Sequence, residues 1–187
     1  MQPIRTARLL LRDWIDEDLD AFERLHADPA VARWLAGALT RRQAAAALAA
    51  MRRGNADHGW GVRAVCLADD GVLIGAAGLQ AVRAGMPFAG IEATWRLGSA
   101  WWGAGYASEA MGALLEDYRA RVPAGEIVTF TSTLNLRSQA LMRRLGFVAD
   151  PARDFDHPRL PEGHPLRRHV FHRLPRAAWR LSARGAR

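Results

Sequence analysis

The sequence predicts an α/β fold built around one mixed sheet. Helical periodicity dominates the first third of the chain, period-two alternation dominates the middle, and helices then alternate with strands. The chain has 187 residues, half of them hydrophobic, so it can bury a substantial core. We therefore expect one globular domain over residues 1–175, followed by a tail over residues 176–187.

The first third is predicted to form one strand and two or three helices. The strand is TARLLLRDW (6–14), with Leu9 and Leu11 on one side. Helices are expected to begin at residues whose side chains accept hydrogen bonds from the first turn: Asp16, Asp28 and Thr40. Gly54 stands where the last of these helices should stop.

The middle of the chain is predicted to form three strands. WGVRAVCLA (60–68) and VLIGAAGLQ (72–80) flank the turn sequence DDG (69–71), which is a hairpin signal. A loop follows at 81–90. IEATWRL (91–97) then alternates apolar and polar residues, which predicts a strand with one polar face.

Helices and strands alternate in the last part of the chain. A helix is expected after WWGAGYASEA (101–110), with Tyr118 at a core position, and a short helix is expected from Asn135 to a stop at Gly146. The other predicted segments are a strand at 126–133, a strand from Phe147, a Pro- and His-rich loop at 154–169 and a strand at 169–174. The resulting order is β-αα-βββ-α-β-α-β-β.

Composition and charge limit the binding partners and the cellular compartment that the sequence predicts. The net charge is +7, but the arginines are dispersed instead of forming one basic block, so nucleic acid is not the predicted partner. The most apolar run, residues 44–51, is too short to span a bilayer, and the charged N-terminus lacks the apolar segment of a signal peptide. The single Cys66 cannot form an internal disulfide. We expect a cytoplasmic protein with no membrane partner and with Cys66 buried in a strand.

The turn in WWGAGYASEA (101–110) has the composition of a phosphate-binding turn. Its two glycines expose backbone N–H groups at the positive end of the predicted helix. A dinucleotide-binding turn would need a third glycine where Ser108 stands, and it would follow the first strand of a βαβ unit, although Glu126 lies at about the distance of the ribose-binding acid. A nucleoside triphosphate loop needs Lys, which the chain lacks.

The segment WGAGYA (102–107) matches the Q/R-x-x-G-x-G/A signature with which GNAT acetyltransferases bind coenzyme A. Together with Glu109 it resembles the RimJ/RimL-type branch. Further similarity to that branch covers its opening strand and helix, its fourth strand and its Asn-x-x-Ser…LGF segment: TARLLLRDWIDEDLDAF (6–22), IEATWRL (91–97) and NLRSQALMRRLGF (135–147). Ala104 replaces the Lys that is frequent in the branch, so either a nearby Arg takes over its phosphate contact or the cofactor binds more weakly.

The resemblance implies a GNAT fold, in which a mixed, mostly antiparallel central sheet is splayed between strands 4 and 5 and flanked by helices. It implies an N-acetyltransferase that transfers acetyl from acetyl-CoA to a primary amine, on a protein N-terminus or a small molecule, by direct attack in a ternary complex. Backbone groups of Trp95, Arg96 and Leu97 are expected to hold the pantetheine arm. The other expected cofactor-binding residues are Trp102, Gly103, Ala104, Gly105, Tyr106, Ala107, Asn135 and Ser138.

Three residues are predicted to carry the chemistry of such a transfer. Glu92 lies on the polar face of its strand and is the candidate general base. Asp154 in the late loop is a second candidate, and Asp156 and Glu162 are further rivals. By the resemblance, Ser138 is the candidate acid near the cofactor's sulfur atom.

The histidines near the end of the chain do not predict a metal site, because their spacing fits no compact ligand pattern. One or two of them are expected to line the acceptor pocket instead: His157, His164, His169 and His172.

Other functions stay open at this point. A non-catalytic acyl-CoA-binding regulatory module is the main alternative, and a dinucleotide-dependent oxidoreductase is another. A homodimer is compatible with the sequence, which does not decide the oligomeric state.

Overall fold

The computed structural model describes residues 1–35, 37–123, 125–176 and 178 of the chain. These residues form two compact units. The first consists of residues 1–79 and 94–122, and the second of residues 80–93 and the described residues from 123 onward. Most of the predicted tail lies outside the described residues, so its boundary after residue 175 stays a prediction.

The first unit contains strands and α-helices from both ends of its sequence. Its strands are β1 (Ile4–Arg5), β2 (Leu9–Arg12), β3 (Val62–Leu67), most of β4 (Leu73–Ala81) and the second half of β5 (Ile91–Leu97). Its α-helices are α1 (Leu19–Ala27), α2 (Pro29–Ala32), α3 (Arg41–His58) and α4 (Tyr106–Tyr118).

Strands β1, β2, β3 and β4 pair in that order, and each pair is antiparallel. The predicted hairpin between β3 and β4 is confirmed: Gly71 has a φ of +75°, and Oδ1 of Asp70 accepts a hydrogen bond from the N–H of Val72 at 3.0 Å. A dinucleotide-binding unit would begin with parallel strands joined by helices. The first half of this sheet therefore does not support the oxidoreductase alternative.

At the start of the chain one predicted strand is shorter than expected and one predicted cap is wrong. The strand predicted over 6–14 is confirmed only as β2, and β1 precedes the predicted range. The N–H of Leu9 donates to the hydroxyl of Thr6 where the chain turns back between them. Asp16 does not cap a helix: it opens a 3₁₀ turn, and no side chain caps α1. The carboxylate of Asp16 is instead paired with the guanidinium of Arg52, and the neighbouring Asp18 accepts hydrogen bonds from that of Arg12.

Helix α3 begins as predicted and stops five residues later than predicted. The N–H of Thr40 donates to the side chain of Gln43, whose own N–H donates to Thr40, so the capping box is confirmed. Gly54 does not stop the helix, which ends at Gly59 with a φ of +69°. An interior glycine costs a helix only about 1 kcal/mol. Beyond it, Asn55 anchors the last turn by donating to Asp13 and to the carbonyl of residue 62.

The second unit is organised around β6 (Glu126–Ser132). The first residues of β5 pair with β6 in parallel, Ile91 with Ile127 and Glu92 with Val128. The remaining elements of this unit are α5 (Leu136–Arg144), β7 (Val148–Ala149), β8 (Phe155–Asp156) and β9 (Arg168–Pro175). Strand β9 pairs antiparallel with β6, β7 and β8. The predicted mixed sheet is thus confirmed.

One face of the second unit is covered by an aromatic cluster. Phe155 and Phe171 are buried there with Val128, and the partly buried Phe88 and Phe130 pack against them. Because Phe155 lies in β8, the segment predicted as a loop at 154–169 is partly strand. Burial of the Phe155 side chain stabilises the pairing of this segment with the sheet.

Cys66 and the apolar run at 44–51 both lie inside regular elements. Cys66 is buried in β3 as predicted, and burial raises the pKa of its thiol. Residues 44–51 belong to α3. Within the part of the chain that the structure describes, no helix combines the length and the apolar character needed to cross a membrane.

A buried hydrogen-bond network joins β3 to α4 in the first unit. Arg63 is 1% exposed and Tyr118 is 0% exposed, which confirms the predicted core position of Tyr118. Nε of Arg63 donates to the hydroxyl of Tyr118 at 2.9 Å, and that hydroxyl donates to the carbonyl of Gly61 at 3.0 Å. Nη1 of Arg63 donates to the carbonyl of Gln2 at 2.6 Å. A buried guanidinium is tolerated only with its donors satisfied, so the network fixes α4 against β3.

Tyr118→Phe should destabilise the first unit without changing its packing volume much. The substitution leaves the buried Nε of Arg63 without its acceptor, which we expect to cost about 1–3 kcal/mol of unfolding free energy. Urea unfolding followed by circular dichroism measures this. Glu116→Gln, at an exposed site of the same helix, is the matched control and should stay within about 0.5 kcal/mol of wild type. Equal midpoints for the two variants would contradict the prediction.

Candidate functional site

The glycine turn lies between β5 and α4 in the first unit. A 3₁₀ turn at Ser99–Trp101 leads into it, and Gly103 and Gly105 each have a φ of +84°. This left-handed conformation favours glycine because a Cβ would crowd the following carbonyl. Gly105 is the N-cap of α4, so the turn leads directly into the first turn of that helix.

The turn presents open hydrogen-bond donors. Among the described residues, the backbone N–H groups of Gly103, Ala104 and Gly105 have no acceptor. The first N–H groups of α4 also lack partners inside the helix, whose N-terminal end carries a partial positive charge. Such an arrangement can bind a phosphate or a pyrophosphate.

Glu109, in the first turn of α4, is held by the residues just before β2. Its Oε1 accepts hydrogen bonds from the hydroxyl of Thr6 at 2.6 Å and from the backbone N–H of Arg8 at 2.9 Å, and its Oε2 accepts from Nε of Arg8 at 2.7 Å. Nη1 of Arg8 donates to the carbonyl of Ala104 at 2.9 Å, and the guanidinium lies 4.3 Å from the centre of the Tyr106 ring. We call these five residues the Arg8–Glu109 latch, because they tie the glycine turn to the start of β2.

The latch is an ion pair at neutral pH. Partial burial alone would raise the pKa of Glu109, but hydrogen bonds from Thr6 and from Arg8 outweigh that effect and hold the pKa below its ordinary value of 4.5. The carboxylate therefore stays charged well into the acidic range.

Further contacts fix the segment that leads into the turn. Oδ2 of Asp28 accepts a hydrogen bond from the N–H of Ser99 at 2.9 Å, and hydrogen bonds from Ser99 hold the pKa of Asp28 below its ordinary value of 3.8. The indole Nε1 of Trp102 donates to the carbonyl of Leu97 at 2.8 Å. The turn is thus anchored before, within and after its glycines.

The stretch predicted to hold pantetheine, Trp95–Leu97, lies in the second half of β5. The carbonyl of Leu97 is already occupied by Trp102. The side chain of Arg96 donates to Nε2 of His26 at 2.6 Å, so its guanidinium is held inside the first unit. Backbone contacts of Trp95, Arg96 and Leu97 with a ligand stay a prediction.

Asn135 is the N-cap of α5, as predicted. Its Oδ1 accepts a hydrogen bond from the N–H of Ser138 at 3.2 Å, and its Nδ2 donates to the hydroxyl of Thr131 at 3.2 Å. Ser138 is half-buried in the first turn of α5. Within the described part of the chain its hydroxyl has no hydrogen-bond partner, so the group is free to donate or accept a proton.

Glu92 lies in the part of β5 that belongs to the second unit. It pairs with Val128 across a parallel ladder, so the two side chains share one face of the sheet. Glu92 is half-buried, and its Oε2 accepts a hydrogen bond from Nε2 of Gln80 at 3.0 Å. The carboxylate is therefore oriented by a neutral donor.

The rival carboxylates have other surroundings. Oδ1 of Asp154 accepts a hydrogen bond from the backbone N–H of Phe171 at 2.8 Å, which attaches the segment before β8 to β9. Asp156 is exposed and lies 3.5 Å from a guanidinium nitrogen of Arg168. Glu162 is also exposed. Glu92 and Asp154 each accept at least one hydrogen bond, and both stay candidate bases.

Two of the late histidines lie in tilted ring contact beside the aromatic cluster. The ring centres of His157 and His169 are 4.9 Å apart. Burial lowers the pKa of His169, and burial, with repulsion from His169, Arg159 and Arg83, lowers the pKa of His157 to about 4. Both rings are therefore neutral at neutral pH. In the described residues, no group of three His, Cys, Asp or Glu side chains is arranged to hold a metal ion.

A cavity of about 560 Å³ opens at the start of β6 in the second unit. Ile91, Val128, Glu126 and Arg173 are among the residues that line it. Glu126 is paired with Arg153 at 2.6 Å. The cavity contains none of the second-unit residues predicted for catalysis or cofactor binding, so it is not part of the predicted site.

Sequence reasoning missed the residues that anchor the glycine turn. Asp28 was predicted only as a helix cap, and Glu109 only as a feature of the resemblance. Thr6 and Arg8 were not singled out at all. The sequence around a charged residue in a short strand does not indicate which distant residue it will pair with.

Glu109→Gln should destabilise the protein at neutral pH but not in acid. The neutral amide loses the ion pair with Arg8, which we expect to lower the unfolding free energy by about 1–3 kcal/mol. Since the folded-state pKa of Glu109 is depressed, the wild-type advantage is present above 4.5 and is lost as the pH falls through the lower folded-state value. Urea unfolding of both proteins at neutral pH and at decreasing pH below 4.5 measures the difference. A difference that does not change with pH would count against the ion pair.

Residues 8–148 match the model of the acetyltransferase (GNAT) domain family. A protein from Bordetella pertussis described as a GnaT-family acetyltransferase is 28% identical, over 92% of this chain and 99% of its own, with a TM-score of 0.75. The ribosomal-protein-S5-alanine acetyltransferase of Vibrio fischeri is 15% identical, over 96% and 99%, with a TM-score of 0.76. RimL, a ribosomal L7/L12 α-N-protein acetyltransferase solved with coenzyme A, is 16% identical, over 95% and 99%, with a TM-score of 0.72.

The family match covers more than half of the chain and includes Arg8, the glycine turn and Glu109. The architecture agrees with it: the sheet is mostly antiparallel with one parallel pair between β5 and β6, and helices flank it. The chain therefore belongs to the GNAT family, in its RimJ/RimL-type branch, and is an acetyl-CoA-dependent acyltransferase.

Proposed function

We propose that this acyltransferase transfers acetyl from acetyl-CoA to a primary amine by direct attack while both substrates are bound. The observation that carries the proposal is the glycine turn. Its three open N–H groups stand at the N-terminus of α4, in a chain that belongs to the GNAT family. Holding two reactants together removes much of the entropic barrier of a bimolecular transfer.

The proposed cofactor contacts follow the chemistry of each part of coenzyme A. Gly103, Ala104 and Gly105 bind the pyrophosphate through backbone N–H groups. Trp95 and Arg96 are assigned to the amide-containing pantetheine arm, whose amides can form hydrogen bonds with strand backbone groups. The other residues assigned to the cofactor are Leu97, Trp102, Tyr106, Ala107, Asn135 and Ser138.

The proposed chemistry needs a base and an acid. Glu92 takes a proton from the acceptor's ammonium group, and the lone pair of the resulting amine forms a bond to the thioester carbonyl carbon. The carbon–sulfur bond then breaks, and the departing thiolate takes the hydroxyl proton of Ser138, so that coenzyme A leaves as a thiol. The nitrogen gives up its second proton to solvent, from which Ser138 regains one. Asp154 is the second candidate base; its Oδ1 accepts a hydrogen bond from the backbone N–H of Phe171.

The acceptor is proposed to be the N-terminal amine of a protein or a small-molecule amine. Two proteins with the same fold are described as acetylating ribosomal proteins, one at an S5 alanine and the other at the α-amine of L7/L12. Their identity to this chain is 15% and 16%, which shows a shared fold and leaves the acceptor to experiment.

Ligand binding and turnover together test the proposal. Acetyl-CoA and CoA should raise the melting temperature, with about 2.7 kcal/mol of added stability at a hundred times the dissociation constant, whereas NAD and duplex DNA should not. Thiol release is then followed with acetyl-CoA and peptides that begin with Ala or Ser, and with small primary amines. Stabilisation by NAD alone would refute the assignment of the turn. Binding of CoA without thiol release from any amine would favour a non-catalytic acyl-CoA-binding module.

Glu92→Gln should lower kcat while leaving the affinity for acetyl-CoA unchanged. The amide keeps the shape of the side chain but cannot accept the amine proton, so we expect a loss of roughly a hundredfold or more. Glu17→Gln, at an exposed carboxylate outside the predicted site, is the control and should keep wild-type kcat. Steady-state kinetics with the best amine of the panel make the comparison, and an unchanged kcat in Glu92→Gln would remove Glu92 from the mechanism.

A further inference from the structure

The Arg8–Glu109 latch acts on one particular peptide group of the glycine turn. Nη1 of Arg8 donates to the carbonyl oxygen of Ala104 at 2.9 Å. In a planar trans peptide the C=O and the following N–H point in opposite directions, and all peptide bonds of the described chain are trans. With the Ala104 carbonyl held towards Arg8, the N–H of Gly105 is directed away from the guanidinium, where no described residue accepts its hydrogen bond.

Arg8 is itself fixed from several sides. Its Nε and Nη2 both lie 2.7 Å from Oε2 of Glu109. Its guanidinium packs over the ring of Tyr106 at 4.3 Å. Thr6 holds the other carboxylate oxygen of Glu109 at 2.6 Å. The donor to Ala104 is therefore held in place even though the side chain of Arg8 is 45% exposed.

We propose that Arg8 is a positioning residue for the cofactor: it orients the Ala104–Gly105 peptide so that the Gly105 N–H faces the pyrophosphate of coenzyme A. This inference rests on the proposed function. It also bears on the absence of Lys at position 104, because Arg8 acts on the turn through a backbone carbonyl and does not need to contact the phosphate. The latch replaces a lost charge contact with a preorganised donor.

The latch contributes to cofactor binding by ordering the glycine turn in advance. Glycine has more backbone freedom than any other residue, so a turn with left-handed Gly103 and Gly105 loses much entropy when it is ordered. A turn that is ordered before the cofactor arrives does not incur that cost on binding. Removing Arg8 should therefore weaken contacts with the phosphates and leave contacts with the pantetheine arm unaffected.

The test compares a ligand that carries the pyrophosphate with one that lacks it. We expect Arg8→Ala to raise the Kd of CoA about tenfold or more, the effect of losing one charge-assisted hydrogen bond. The Kd of pantetheine, which has no phosphates, should stay within about twofold of wild type, since an unrelated surface change has little effect. Calorimetry for CoA and NMR titration for pantetheine give the two values, and the pantetheine titration also shows that the variant is folded.

Two further variants separate positioning from charge. Arg8→Lys keeps the charge and the pairing with Glu109 but lacks the planar fork of donors, so its Kd for CoA should lie between those of wild type and Arg8→Ala. Arg5→Ala removes the same charge from an exposed residue of β1, and it should bind CoA as wild type does.

Each other outcome overturns the inference. Equal CoA affinity in wild type and Arg8→Ala would show that the latch does not position the turn. If Arg8→Ala lost as much affinity for pantetheine as for CoA, the variant would be damaged in general. If Arg5→Ala lost as much affinity for CoA as Arg8→Ala, the cause would be the long-range effect of removing a positive charge. If wild type binds no CoA, the proposed function fails and the inference fails with it.

Discussion

The left-handed backbone at Gly105 is the constraint on which the rest of the proposed cofactor site depends. A φ of +84° lets the chain leave the turn and enter α4 at once, with the Ala104 carbonyl against Arg8. An added Cβ at Gly105 would lie 3.5 Å from Nη2 of Arg8, which is ordinary contact. The obstacle to a side chain is therefore the backbone conformation, at about 1–2 kcal/mol, and not a shortage of space.

Features decided by near neighbours in the chain were predictable from the sequence. The hairpin at residues 69–71, the capping box of Thr40 and Gln43, the cap at Asn135 and the stop at Gly146 each depend on residues a few positions apart. The glycine turn belongs to the same class, since two glycines before a helical pattern specify it. Gly54 shows the limit of such reasoning: a glycine permits a helix to end, but a tertiary contact at Asn55 kept the helix going.

Pairings between residues far apart in the chain could not be predicted from the sequence. Arg8 and Glu109 are 101 positions apart, Asp28 and Ser99 are 71 apart, and Arg63 and Tyr118 are 55 apart. The chain has 26 basic and 19 acidic residues, so charge alone does not choose the partner of any one of them. The same limit applies to the candidate base. Alternation in the sequence predicted that Glu92 lies on a polar face, but its pairing with Val128 and its hydrogen bond with Gln80 are known only from the structure.

The order in which the two units are completed along the chain has a consequence for biosynthesis. Every residue of the first unit precedes Pro123 in the sequence. Contacts between distant residues form late, because the entropy of closing a long loop opposes them until both ends are available. The latch can therefore form only after α4 has been synthesised, but it does not need the residues that follow α4. In a nascent chain emerging from the ribosome, the turn proposed to hold the pyrophosphate can be complete before Ser138 and Asp154 have been added.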